Sequence, residues 1–202
     1  MITGPKYKIA RRLGHTVFEK TQDPKFVLRE QSRRVKRTRR PRSNYGIQLI
    51  DKQKVRFTYG LTEKQFSNYV KAVIEKKLSN PSEKLSALLE KRLDNVVFRS
   101  NFVKTRQASR QAVSHGHITV NGKKMNIPSY QVKDGDVVAI KEASIGKGLW
   151  VDLTDKDTNL RPVPKWVLVN AAKKEINIKG EPEYSSSESD FDLPSVLQYY
   201  KR

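Results

Sequence analysis

Cysteine is absent from the 202 residues, which excludes disulfides and every thiolate metal site. Histidine is scarce: His15, His115 and His117 do not make a metal-ligand set, and no metal or other cofactor is expected. No apolar run approaches the roughly eighteen residues of a membrane-spanning helix. Met1-Ile2-Thr3-Gly4-Pro5 is not followed by the apolar core of a secretory signal, so neither membrane nor export is expected. The signatures of catalysis are also missing, for no Ser-His-Asp order, carboxylate pair or nucleotide loop stands out. Gly146-Lys147-Gly148 lacks the glycine spacing, the Lys-Ser/Thr and the following helix of a phosphate loop, and reads as a tight turn. Acids are in deficit as well, with 21 Asp and Glu against 41 Lys and Arg.

The resulting charge of +20 exceeds anything folding uses and repels itself unless a polyanion neutralises it. Its distribution is uneven. Residues 1–42 hold fourteen Lys or Arg and three acids, including Lys6, Lys8, Arg11 and Arg12 and then Arg33, Arg34, Lys36, Arg37, Arg39, Arg40 and Arg42. With only Ile9, Leu13, Val17, Phe18, Phe26 and Val27 as apolar anchors, this stretch reads as a basic arm that orders on RNA; a solvated tail or a targeting signal are the blander readings. Residues 142–202 carry nine bases and ten acids, which puts the partner surface elsewhere. Within them, residues 181–192 (EPEYSSSESDFD) are acidic and serine-rich: a linker, a phosphorylation target or an intramolecular partner for the arm.

From Ser43 the composition becomes globular. Ser43 can cap a helix running to Tyr59, stopped by Gly60, with Lys52, Lys54 and Arg56 on its surface. Thr62 and Gln65 form a capping box for a helix in which Phe66, Tyr69, Val70, Val73 and Ile74 recur at helical spacing. Among the aromatics here, Tyr59 is the one read as RNA-facing, since it follows Lys54 and Arg56 beside a glycine stop. Asn80, Pro81 and Glu83 start a third helix, whose face Leu85, Leu88, Leu89, Leu93, Val96 and Val97 continues to about Phe98.

Residues 92–138 then read as helix, short basic helix, hairpin and strand. Thr105 can cap the short helix, Ala108, Ala112 and Val113 face inward, Arg106 and Arg110 stack one turn apart, and Gly116 supplies the stop. Residues 117–120 alternate like a strand, and Asn121-Gly122 closes a tight hairpin with Lys123 and Lys124 just past the turn. Residues 140–153 are strand-prone, and Trp166 to Val169 reads as another strand.

The segments RLDNVVFR, TRQASRQAVSHGHITVNG and SYQVKDGDVV, in this order, resemble the small RNA-binding module named after the fourth protein of the small ribosomal subunit. GPKYKIARRLGHTVF, SNYGIQLIDKQKVRFTYGLTEKQFSNY and the YYKR end are similar to the bacterial-type S-four family itself. The resemblance implies an α+β fold with a basic N-terminal arm at 1–42. It places a mostly helical domain at 43–91, completed by 154–202, and an inserted helix-helix-hairpin RNA-binding module, alpha-L-like, at 92–153. It implies a structural role in the small ribosomal subunit of the cytoplasm. Binding would be to small-subunit ribosomal RNA at a multi-helix junction during assembly, with neighbouring small-subunit proteins and the messenger RNA near its entry path as further partners, and a part in translational accuracy. Many members hold the arm with cysteine-bound zinc; this chain, without cysteine, departs from them there.

The RNA-binding residues expected are Lys6, Lys8, Arg11, Arg12, Arg33, Arg34, Arg37, Arg39, Arg40, Lys52, Lys54, Arg56, Tyr59, Arg92, Lys104, Arg106, Arg110, His115, His117, Asn121, Lys123 and Lys124. Arg92-Leu93-Asp94 also resembles the catalytic Asp context of pseudouridine synthases, which carry the same module. Here Asn95-Val96-Val97 continues a helix, so Asp94 reads as an ion-pair partner of Arg92 or Arg99, and no catalytic residue is expected.

Overall fold

The computed structural model describes residues 4–35, 43–76, 79–146, 148–150, 161–184 and 191–201. The chain divides into two compact units, Met1–Leu85 with Tyr184–Arg202, and Ser86–Glu183.

The first unit is helical. It contains α1 (Lys6–Leu13), two 3-10 turns (His15–Val17 and Glu19–Thr21), α2 (Pro24–Val35), α3 (Asn44–Thr58) and α4 (Glu63–Glu75). The division falls within α5 (Pro81–Glu90). Local chemistry sets the helix starts as the sequence suggests: Ser43 Oγ accepts from Gly46 N at 3.2 Å, and Thr62 and Gln65 bond each other reciprocally as a capping box.

The N-terminal segment departs from the expected free arm. Over residues 4–35 it folds, because its few apolar residues converge: Ala10, Leu13, Val17 and Phe18 bury a cluster with Ile50 of α3, flanked by Phe26 and Phe57. Thr21 is fully buried and donates its hydroxyl to the carbonyls of His15 (2.7 Å) and Phe18 (2.9 Å), tying the two 3-10 turns together. Tyr7 packs on Phe26 with ring centroids 5.2 Å apart, and Arg11 pairs with Glu30 at 3.4 Å. Hydrophobic burial and side-chain-to-backbone bonds hold this segment together.

Within the second unit the long helix expected through Phe98 breaks in two. After α5, Lys91 is a turn and Arg92 is extended, and α6 (Leu93–Arg99) restarts the helix. The break follows from backbone competition. Leu93 N donates to Tyr130 O (2.9 Å) and Asp94 N to Pro128 O (3.2 Å), while Lys91 O accepts from Val132 N (2.9 Å), so the helical hydrogen bonds give way to pairing with 128–132. Then come α7 (Arg106–Ser114), β1 (Ile118–Val120), β2 (Lys123–Met125), β3 (Val137–Ile140), β4 (Val167–Asn170) and β5 (Glu175–Ile178). All pairings are antiparallel, in the order β2-β1-β3-β5-β4. β1 and β2 turn through Asn121 (φ 50°) and Gly122 (φ 76°), the two positive angles that a tight hairpin of this hand requires. One core joins α6, α7 and the sheet through Leu93, Val96, Val113, Ile118, Val138 and Ile176.

Two expectations about the C-terminal half change here. Among the described residues, 140–150 continue from β3 into a 3-10 turn (Glu142–Ser144) rather than a strand. Residues 161–183, assigned to the helical domain from sequence, instead extend the module's sheet by two strands, since β5 pairs with β3 through Val138 and Ile176. Only the end of the chain returns to the first unit, as α8 (Leu193–Tyr200), capped by Asp192 Oδ1 accepting from Ser195 N and packed on α3 and α4.

The α3·α4·α8 junction holds an acid-sensitive cluster. Glu63 Oε1 accepts from Lys52 Nζ (2.8 Å) and from Tyr200 Oη (2.8 Å), with Arg56 Nε 3.5 Å from Oε2. Burial alone would raise the Glu63 pKa, but the bonds from Lys52 and Tyr200 and the charges of Lys52 and Arg56 outweigh it and hold the carboxyl below its usual range. Burial, and then Glu63 itself, push the Tyr200 phenol strongly up. A carboxyl with a lowered folded pKa adds stability above its unfolded value and loses it as pH falls through the folded one. The first unit should therefore weaken toward acid below about pH 4.5, and Glu63→Gln should flatten that component in urea titrations followed by circular dichroism at about pH 6 and about pH 3.

Candidate nucleic-acid interface

The structure sorts the expected RNA-binding residues into three groups, and the sorting follows from what lies beside each side chain. The first group is engaged inside the fold. Arg92 is only 2% exposed and donates from Nε (3.1 Å) and Nη2 (2.8 Å) to the Asp94 carboxylate, which also accepts from Arg110 Nε (2.9 Å) and Nη2 (2.7 Å). Of the two partners open to Asp94 on sequence, it takes Arg92; Arg99 pairs instead with Glu90 at 2.8 Å. Arg106 donates to Asn95 Oδ1 at 3.1 Å and lays its guanidinium 4.2 Å from the centre of the Phe98 ring. In the first unit Lys52 is 5% exposed, bound to Glu63 and lying over the Tyr199 ring. Lys54 pairs with Asp51 at 3.3 Å, and Arg56 bonds Gln53 and stacks on Phe57.

Tyr59, expected to face RNA, is 6% exposed with its ring 6.2 Å from Phe191. Arg92, Lys52 and Tyr59 are thus corrected from contact residues to core, because burying a charge or an aromatic inside a packed unit leaves no surface for a phosphate or a base. Asn121 is an intermediate case. The residue is exposed, but its amide donates to Asp136 Oδ1 (2.8 Å) and accepts from Val137 N (2.9 Å), so the side chain closes the turn.

The second group lies on the N-terminal segment. Lys8, Arg11 and Arg12 are exposed on α1 and Lys6 is half-buried. Arg33 and Arg34 fall at the end of α2, while Arg37, Arg39 and Arg40 lie outside the described residues.

The third group forms one face of the second unit. Lys104 and His115 are exposed at the two ends of α7, Lys123 and Lys124 on β2 beside it, and His117 is half-buried between them. By helix rise, the two ends of α7 stand roughly 13 Å apart. The hairpin reaches α7 at Gly116 (φ 71°), where a Cβ would overlap Lys124 Cε; the bare glycine both stops the helix and lets the lysine cross it. The His115 and His117 rings sit 5.9 Å apart, and His117 Nδ1 lies 3.0 Å from Ser144 Oγ, with Trp150 stacked edge-on to the ring.

Between these ends the exposed surface of α7 carries Gln107, Gln111 and Ser114, which the sequence-based set of RNA-binding residues does not include. The periodicity holds that signal. Once Ser109, Ala112 and Val113 are taken as the buried stripe, 107, 111 and 114 fall opposite it. Neutral amides and hydroxyls flanked by lysines suit the phosphates and 2′-hydroxyls of a folded RNA. Among the described residues no group of three or more His, Asp or Glu could hold a metal ion, and no helix is long and apolar enough to cross a membrane.

Comparison with known proteins adds an independent line. Residues 1–90 match the family model of the ribosomal protein S4/S9 N-terminal domain, and residues 91–138 match that of the S4 domain. The chain is 42% identical over 208 residues to small ribosomal subunit protein uS4 of Chromobacterium violaceum, with 98% of each chain covered. It is 43% identical over 203 residues to the protein of the same description in Pseudomonas putida, again with 98% of each covered.

Proposed function

The chain belongs to the small ribosomal subunit protein uS4 family, and from that premise we propose that it is a structural, non-enzymatic constituent of the cytoplasmic small ribosomal subunit that binds ribosomal RNA. The observation that carries this reading is the likeness to uS4 proteins along 98% of the chain, since an RNA-binding module alone would be shared with enzymes. The +20 charge and the exposed face of Lys104, His115, Lys123 and Lys124 support it chemically.

The finer reading concerns where it binds. We place the contact at a junction of several RNA helices formed during assembly, where phosphates crowd together and the basic N-terminal segment and the α7–hairpin face can neutralise different strands. Neighbouring small-subunit proteins are partners in this reading, and the messenger RNA near its entry path is a further one, with an influence on decoding accuracy. Recognition rests on shape, phosphates and 2′-hydroxyls more than on bases, because the deep groove of an RNA helix hides its base edges.

Sedimentation of a lysate containing the tagged chain tests the class. The chain should travel with the small subunit and dissociate from it as salt rises; a pool that stays free or associates only with other particles would overturn the reading.

A further inference from the structure

We propose that Arg161 is a positioning residue for RNA binding, fixing the turn between α6 and α7 so that Lys104 and the start of α7 face the RNA; this rests on the RNA face described above. Arg161 is far from that turn in sequence, yet its guanidinium donates to two carbonyls of the turn and to one at the end of α6. Nη1 reaches Lys104 O at 3.1 Å, and Nη2 reaches Phe98 O at 3.1 Å and Val103 O at 2.9 Å.

Its main chain is locked to the same turn. Arg161 N donates to Asn101 Oδ1 at 3.2 Å, and Asn101 Nδ2 donates to Arg161 O at 2.9 Å. Asn101 itself has a φ of 66°, the left-handed region that asparagine tolerates best among residues with a side chain. The guanidinium also lies 3.9 Å from the centre of the Phe98 ring, over which Arg106 stacks too.

These bonds decide how an exposed lysine is presented. Phe102 and Val103 anchor the middle of the turn in the core, but the Lys104 peptide, next to the exposed side chain, is bonded by Arg161. Thr105 then caps α7 by accepting from Ala108 N at 3.1 Å, so the direction of the first turn of α7 is set at the same place. A planar guanidinium can bridge three carbonyls and cover an aromatic ring at once, which an ammonium cannot. The positive charge of Arg161 is directed into the turn, and its contribution to affinity is one of geometry.

Titration of the full chain with a transcript of small-subunit ribosomal RNA across a salt series separates the roles, at a temperature where tryptophan fluorescence shows every variant folded. Lys104→Ala should lower affinity and reduce the salt slope by about one. Arg161→Ala should lower affinity roughly five- to tenfold and reduce the slope by no more than Lys104→Ala does, and in the Lys104→Ala background it should leave the slope unchanged, because it acts through that lysine. Arg161→Lys should behave like the alanine variant. A slope reduced further by Arg161→Ala in the Lys104→Ala background would make Arg161 a phosphate ligand and overturn the inference, as would unchanged affinity or full rescue by lysine. If Lys104→Ala changes neither affinity nor slope, the RNA face at this turn falls, and the inference with it.

Discussion

Asp94→Ala should destabilise the second unit by about 3–5 kcal/mol, because it leaves the buried Arg92 guanidinium without its countercharge. The side chain of Arg92 is 2% exposed and that of Asp94 7%, so water cannot replace the carboxylate. Arg110 would lose the same partner, but with a quarter of its side chain exposed it can turn to solvent. The backbone adds to the effect, for Ser109 on α7 donates its hydroxyl to the Asp94 carbonyl, and α6 and α7 meet at this point. Both tryptophans, Trp150 and Trp166, belong to the second unit, so their fluorescence in a urea titration reports its unfolding. The double variant Arg92→Met with Asp94→Leu should regain a large part of the stability, since a buried ion pair exchanged for apolar side chains of similar size is often nearly neutral. A cost below about 1 kcal/mol for Asp94→Ala would mean that the pair behaves as an exposed one.

This cluster also marks the limit of what the sequence makes legible. The pairing of Arg92 with Asp94 can be anticipated because the two are neighbours, and the helix caps at Ser43, Thr62, Thr105 and Asp192 can be read because a cap is settled within four residues. The hairpin at Asn121-Gly122 is legible for the same reason: positive φ is a local demand. Which cations face solvent is not local. Arg106 and Arg110 look like an exposed basic pair on a helical wheel, yet the Asn95 amide and Asp94 carboxylate of α6 draw them onto the scaffold. Lys52 is claimed by Glu63 and Tyr199, and Arg161 serves a turn nearly sixty residues away. Tyr59 misleads for a related cause, its burial depending on Phe191 at the other end of the chain. The N-terminal segment shows the reverse error. Its charge density argues against folding, but a handful of apolar side chains suffices once α3 offers Ile50 and Phe57 to receive them.

The residues that remain outward make the second large prediction, which concerns binding and not stability. Replacing Lys104, Lys123 and Lys124 together by alanine removes three exposed cations from the α7–hairpin face while leaving the Asp94 cluster and the core untouched. Each phosphate left without its lysine should lower the slope of log affinity against log salt by about 0.9, so the slope of the triple variant should be smaller by about 2.7 units. Between about 50 and 200 mM salt, its affinity for small-subunit ribosomal RNA should then fall about 40-fold less than that of the parent chain, because it has fewer counterions to release. The variant is weakest relative to the parent at low salt, where steering by this face matters most. Its urea midpoint should match that of the parent, which separates it from Arg106→Ala with Arg110→Ala, where binding and stability fall together because both arginines hold α7 to α6. A triple variant with the parent's salt slope would move the RNA interface away from the hairpin and onto the N-terminal helices, where Lys8, Arg11 and Arg12 are exposed.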